Sequence, residues 1–215
     1  IVHVVRCFED EDIIHVAGKI SPLDDIEIIN TELVLADLAA VEKLYQKAIK
    51  NTKSGQKDGL PLKALLERVL PTLEEGESAR TLSYDDEELK LLKGFQLLTI
   101  KPVLYVANVS EEGFNNNPHL DVVTNFANTE GAQVVAICAD IEAEISELDL
   151  EEKQEFLSEM GQTESGLDRL IKSGYALLGL QTYFTAGVQE VRAWTVNVGD
   201  SAPQAAGKIH GDFEK

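Results

Sequence analysis

The sequence predicts an α/β fold: a parallel-sheet domain, an α-helical hairpin that interrupts it, and the first part of a small α+β module. Three observations predict it. Two short unbroken apolar runs, Val103-Leu-Tyr-Val106 and Gln133-Val-Val-Ala-Ile137, are each followed by helical patterns, as when buried parallel strands alternate with helices. An amphipathic stretch from Ser21 to Lys53, a glycine-marked turn and a second stretch from Pro61 predict two antiparallel helices. Beyond Thr182, paired strand-like runs across Gly187 replace the strand–helix order.

Residues 1–8 open on Ile1-Val-His-Val-Val5, an alternating strand already under way, and Glu9-Asp-Glu-Asp12 forms an acidic turn. Residues 13–20 read as a loop broken at Gly18. Ser21 is the expected N-cap of the long helix, Pro22 its first residue and Asp24 the acid of a capping box. Ile26, Ile29, Leu33, Ala36, Ala40 and Leu44 are the expected inward stripe, and Lys47, Lys50 and Lys53 suit the negative helix end. At 1.5 Å per residue this arm is roughly 40 Å long. Gly55 and Gly59 mark the turn, and Leu62, Leu65, Leu66, Val69 and Leu70 share one face of the return helix. Helices are further expected over 85–92, 120–128, 141–148, 151–160 and 167–178, with right-handed crossovers between the parallel strands. Tyr183-Phe-Thr185 and Val191-Arg-Ala-Trp-Thr-Val196 read as strands, and Pro203–Ile209 as a short helix. The expected divisions are 1–21, 22–95, 96–179 and 180–215. Residue 1 is Ile rather than Met, and Asp212-Phe-Glu-Lys215 follows directly on a helix, so both ends are expected to lie within a longer structure.

Composition narrows the function classes. Apolar residues make up 44% of the 215, enough for a core. No run approaches the ~18–20 apolar residues of a membrane helix, and no signal peptide opens the chain. Cys7 and Cys138 alone make no disulfide framework, which predicts a reduced, cytoplasmic protein. A net charge of −19 favours solubility and disfavours direct binding of free DNA or anionic membranes; a nucleic-acid partner would need a local basic patch.

Few residues carry candidate chemistry. Asn108-Val-Ser-Glu111 directly follows the apolar strand, and ligands of parallel sheets bind at strand carboxyl ends. An Asn amide there matches the donor–acceptor pair at adenine N6 and N7; the plain alternative is a turn-forming Asn. Cys138-Ala139-Asp140 follows the second strand at the equivalent height, where backbone N–H groups can meet a base edge. His15, with a pKa near neutrality, can position a water, or is an ordinary surface histidine. No histidine or cysteine spacing predicts a metal site. Gly18-Lys19 and Gly207-Lys208 fail as phosphate loops: Ile13 and Ala202 stand where the first glycine is needed, and Ile20 and Ile209 where a hydroxyl is needed.

Together these stretches resemble the Obg-like ATPases of the YchF type, a subfamily of translation-factor-related P-loop NTPases. The matching segments are Val4-Val-Arg-Cys-Phe-Glu9, Ile14-His-Val-Ala-Gly18, Leu104-Tyr-Val-Ala-Asn-Val-Ser-Glu111, Tyr183-Phe-Thr-Ala-Gly-Val-Gln-Glu-Val-Arg-Ala-Trp-Thr195, Ala202-Pro-Gln-Ala-Ala-Gly-Lys-Ile-His210 and Asp212-Phe-Glu-Lys215. The resemblance implies a nucleotide-binding domain in two parts (1–21 and 96–179), a coiled-coil hairpin (22–95) and the N-terminal part of a TGS domain (180–215). Related GTPases read guanine with N-K-x-D; here Val109 replaces the Lys and Glu111 the Asp, a longer side chain that misplaces the carboxylate for guanine. The resemblance therefore implies ATP, with the Asn108 amide on the base and Phe8 and Val109 as apolar faces for the ring. It implies His15 as the catalytic, water-orienting residue. It also implies Mg2+ with ligands outside these residues, since phosphate loop and switch regions are not among them, and the ribosome as partner. A non-catalytic interaction module, or a GTP-binding protein, is the alternative. For the ribosome, Lys47, Lys50, Lys53 and Lys57 at the hairpin tip are the expected local basic patch.

Overall fold

A computed structural model describes residues 1–10, 12–13, 18–53 and 59–214. Three strands, β1 (Val2–Arg6), β2 (Leu104–Asn108) and β3 (Gln133–Ile137), form a parallel sheet in the order β1-β2-β3. Their carboxyl ends are level: Arg6 is the register partner of Asn108, and Asn108 of Ile137. Leu104, Tyr105, Val106 and Ala107 are all fully buried, which is why the central strand reads as an unbroken apolar run.

Between β1 and β2 the chain makes a helical hairpin. Helix α1 (Pro22–Lys53) extends about 48 Å at 1.5 Å per residue, and α2 (Gly59–Glu74) returns along it. Val34, Val41 and Ala48 of α1 pack with Leu65, Leu66, Val69 and Leu73 of α2, and the Tyr45 hydroxyl donates to Glu67 Oε1 at 2.9 Å. A hydrogen bond with Ser21, and then Lys19 at 3.5 Å, hold the Asp24 carboxyl below its ordinary range, in keeping with the predicted capping box.

The predicted stripe on α1 is corrected in phase. Ile29 and Ala36 are exposed, while Ile26, Val34, Asp37, Val41 and Ala48 are buried. The reason is Asp37, a carboxylate on the inward face that a hydrophobic pattern cannot count. It accepts from the Leu98 N–H (2.8 Å), the Thr99 N–H (2.7 Å) and the Thr99 hydroxyl (2.7 Å), so the buried acid is satisfied and ties the hairpin to the segment leading into β2.

After the hairpin come α3 (Asp86–Lys93), α4 (Pro118–Glu130), α5 (Ala139–Ser146), α6 (Leu150–Glu159) and α7 (Gly166–Leu177). Helices α3 and α6 begin at complete capping boxes, Asp85 with Glu88 and Asp149 with Glu152. Helix α4 starts two residues earlier than its apolar pattern, because Asn117 caps it and Pro118 fits the first turn. It ends where Gly131 takes a left-handed φ of 66°. Strands β4 (Leu180–Ala186) and β5 (Val191–Asn197) then form a separate antiparallel pair, followed by α8 (Ala202–Gly207). Among the described residues no helix is long and apolar enough to cross a membrane.

Candidate functional site

The three parallel strands deliver their following residues to one sheet edge, and a short ladder laces them. The Cys7 N–H donates to the Asn108 carbonyl at 2.7 Å, and the Val109 N–H to the Ile137 carbonyl at 2.8 Å. The Ala139 N–H donates to Asn108 Oδ1 at 3.0 Å. Asn108, half-buried at the end of the fully buried strand, therefore has a fixed amide orientation. Its oxygen holds the chain beyond β3, and its –NH2 is the half that remains to donate.

The predicted residues fall out unequally. Asn108 and Ala139 meet at the carboxyl edge, while Phe8 follows the end of β1 and Glu111 the end of β2; Ala139 and Glu111 are exposed and Phe8 half-buried. Two of the predicted residues are engaged within the protein itself. The Ala139 N–H serves Asn108, because the register of β2 and β3 sets them side by side. Val109 is 2% exposed and packs with Val5, Cys7 and Ala107 in the core beneath the edge. Inward alternation continues one residue beyond Asn108. The proposed catalytic residue, His15, lies outside the described residues, as does Lys57.

Three residues that sequence reading passed over fasten the segments that follow the strands. Asn117 caps α4 through Oδ1, while its –NH2 donates to the Cys7 carbonyl at 2.8 Å and the Gly113 carbonyl at 3.0 Å, pinning the β2–α4 loop to the end of β1. The Asn117-Pro118 pair was its legible signal. Glu142 accepts from the Gly166 N–H (2.6 Å) and the Leu167 N–H (3.1 Å), so a carboxylate on α5 caps the start of α7. Arg6 donates through Nε to the Phe8 carbonyl (3.1 Å) and through its two terminal nitrogens to those of Ile13 (2.9 Å) and Asp10 (3.2 Å). Its guanidinium sits 4.6 Å from the centre of the Phe8 ring. Nothing in the pattern of the first strand distinguishes such a clamp from a surface arginine.

Phe8, Glu9, Ser110, Glu112, Asn116 and His119 line an open crevice of about 300 Å3 between the loops that follow β1 and β2. His119 Nε2 lies 3.6 Å from Glu9 Oε1 across it. Burial pushes the Cys7 thiol up to about 12, so it stays protonated at neutral pH and offers no nucleophile. Among the described residues no group of three or more His, Cys, Asp or Glu side chains can hold a metal ion.

Comparison with known proteins places these features in context. A family model, YchF-GTPase_C, described as "Protein of unknown function (DUF933)", matches residues 180–215. Over 213 residues the chain is 58% identical to the ribosome-binding ATPase YchF of Haemophilus influenzae, covering 99% of this chain and 59% of that protein. It is 50% identical over 218 residues to the protein of the same name from Bacillus subtilis, covering 100% and 60%. The solved structure of the Schizosaccharomyces pombe YchF GTPase matches with a TM-score of 0.85 at 34% identity, over 99% of this chain and 59% of that one. The chain thus spans 59% to 60% of the length of these relatives.

Proposed function

We propose, because this chain belongs to the YchF-type family of Obg-like P-loop NTPases, that it carries the base-reading part of an ATP site in a ribosome-associated, cytoplasmic ATPase. The observation that carries the proposal is Asn108: half-buried at the carboxyl end of β2, its Oδ1 held by the Ala139 N–H at 3.0 Å. The amide –NH2 then donates to N7 of a purine, and the second lone pair of Oδ1 accepts from the adenine N6 amino group. A good pair of this kind discriminates by about 1–3 kcal/mol. Guanine presents a carbonyl at that position and needs an acid at N1 and N2. Glu111, exposed and one methylene longer than the aspartate of guanine readers, is poorly set for that task.

Hydrolysis draws on more than these residues. The sequence contains no G-x-x-x-x-G-K-[ST] loop, so the triphosphate and its Mg2+ are to be held by other parts of the protein. Mg2+, when bound, neutralises charge on the β- and γ-phosphates. His15 is the proposed water-orienting residue. Residues 22–95 serve as a coiled-coil arm and 180–215 as the N-terminal part of a TGS domain. Lys47, Lys50 and Lys53 are all exposed near the far end of α1, a local cationic patch for ribosomal RNA phosphate on a chain of net charge −19. The interaction-module reading assigns that arm and the C-terminal part the whole function.

The test uses the full-length protein. ATP competes a fluorescent ATP analogue more strongly than GTP does, and Asn108→Ala weakens ATP by roughly 5- to 150-fold, the equivalent of about 1–3 kcal/mol. A clear preference for GTP, in line with the name of the fission-yeast relative, sinks the base assignment. His15→Ala should lower kcat with little change in ATP affinity; unchanged turnover refutes its role.

A further inference from the structure

We propose that Arg6 is a positioning residue of the base site: it backs one face of Phe8 and fixes the loop that carries this ring, so that Phe8 is presented ready-ordered to the nucleotide base. The inference rests on the ATP reading and deepens it.

Arg6 sits at the last position of β1, level with Asn108 as its register partner on β2. The two side chains therefore belong to the same row of the sheet edge. All three guanidinium nitrogens are spent on main-chain carbonyls of the loop that follows, those of Phe8, Asp10 and Ile13. The guanidinium plane also lies 4.6 Å from the Phe8 ring centre, within cation–π range. One side chain thus holds the backbone at Phe8, Asp10 and Ile13 and supports the ring itself. Phe8 is half-buried and lines the open crevice beside the strand ends.

The chemistry explains why an arginine is needed. Only a guanidinium offers Nε and two terminal nitrogens in one plane, so it can take three carbonyls and keep its flat face for an aromatic ring. A lysine can take one or two of those carbonyls and has no flat face. A cation against one face of an aromatic ring leaves the opposite face for stacking, and base–aromatic stacking depends on that face being presented. Holding the loop before the base arrives removes the ordering cost from binding. The predicted contribution is therefore to affinity for the base and not to the grip on phosphate.

The experiment compares full-length wild type with Arg6→Leu, Arg6→Lys, Phe8→Ala, the Arg6→Leu/Phe8→Ala pair and Asn108→Ala. Two probes, ATP and inorganic tripolyphosphate, displace a fluorescent ATP analogue. Arg6→Leu should weaken ATP by about tenfold and leave tripolyphosphate unchanged, with Arg6→Lys in between. The double variant should bind ATP no more weakly than Phe8→Ala alone. Equal loss for both probes, no loss for either, or additive losses in the double variant overturns the proposal. Should Arg6→Leu not fold, Arg6→Lys decides by the same criterion. If Asn108→Ala weakens ATP while the Arg6 variants do not, the positioning role fails and the ATP site stands. If neither weakens ATP, the base site itself is wrong.

Discussion

The two β regions of the molecule are built from similar strands and differ in what covers them. In the parallel sheet, β2 has four consecutive residues at zero exposure, with helices packed against it. In the β4–β5 pair, Phe184 and Val191 are each 73% exposed. Local chemistry supports this second pair: the Trp194 indole N–H donates to Thr185 Oγ1 at 2.9 Å, Arg192 lies 4.3 Å from the Trp194 ring, and the Tyr183 hydroxyl donates to the Ala205 carbonyl at 2.8 Å. Strand formation therefore needs only pairing and side-chain partners along the ladder. Stability that resists perturbation needs two covered faces.

The sharpest way to break the contrast is to delete matched apolar side chains. Leu104→Ala in the fully buried strand should cost about 2–5 kcal/mol in chemical denaturation followed by far-ultraviolet circular dichroism. Phe184→Ala, on the exposed strand, should stay within about 0.5 kcal/mol. Equal losses would mean that β4 is covered in solution.

A second variant probes the helix that joins the regions. The start of α7 is tied to the parallel sheet: Arg169 donates to the Ala136 carbonyl at 3.0 Å, and Gly166 lies so close that a Cβ would meet Ile137 Cγ2 at 2.7 Å and Glu142 Oε1 at 2.8 Å. Gly166→Ala should therefore cost about 1–3 kcal/mol by pushing α7 off β3. Trp194, the single tryptophan, reports on the β4–β5 side by fluorescence. If the Trp194 signal shifts as much as the circular dichroism signal, the two regions unfold together.

Smaller effects sharpen the picture. Asp149→Ala should cost about 1 kcal/mol, the loss of a capping box at α6. Burial lowers the pKa of His3, which packs 5.5 Å from the Tyr105 ring, and this outweighs the opposing pull of Asp25 and Glu130. A histidine depressed in the folded state contributes stability above its unfolded pKa and loses it as pH falls from there through the folded pKa. Stability should thus decline below about pH 6.5, and His3→Gln should flatten that decline; an unchanged pH profile would count against a buried neutral His3.

The sequence made legible what period and punctuation encode. The bounds of β3, the starts of α3 and α6 to within a residue and the place of Asn108 at a strand end were all readable, because apolar runs and helical spacing are local signals. The phase of α1 was not, since Asp37 occupies a core position that its partners Leu98 and Thr99, sixty residues on, make tolerable. The burial of Val109 was not legible for a related reason: it is decided by the pleat and not by the motif. Arg6 and Glu142 act on backbone groups that no side-chain pattern reveals.

The Asp37 tether also bears on the order in which the chain assembles. His3 and Tyr105 are register partners although about a hundred residues separate them, a costly loop to close directly. Helices α1 and α2 make contacts close in sequence, and once they pair, Asp37 can draw Leu98 and Thr99 to the middle of α1. The search for the β1–β2 pairing then spans a few tens of residues in effect. The long insertion, which by length alone should slow the sheet, acts as its shortcut, so weakening the pairing of α1 with α2 should lower the folding rate of the parallel sheet.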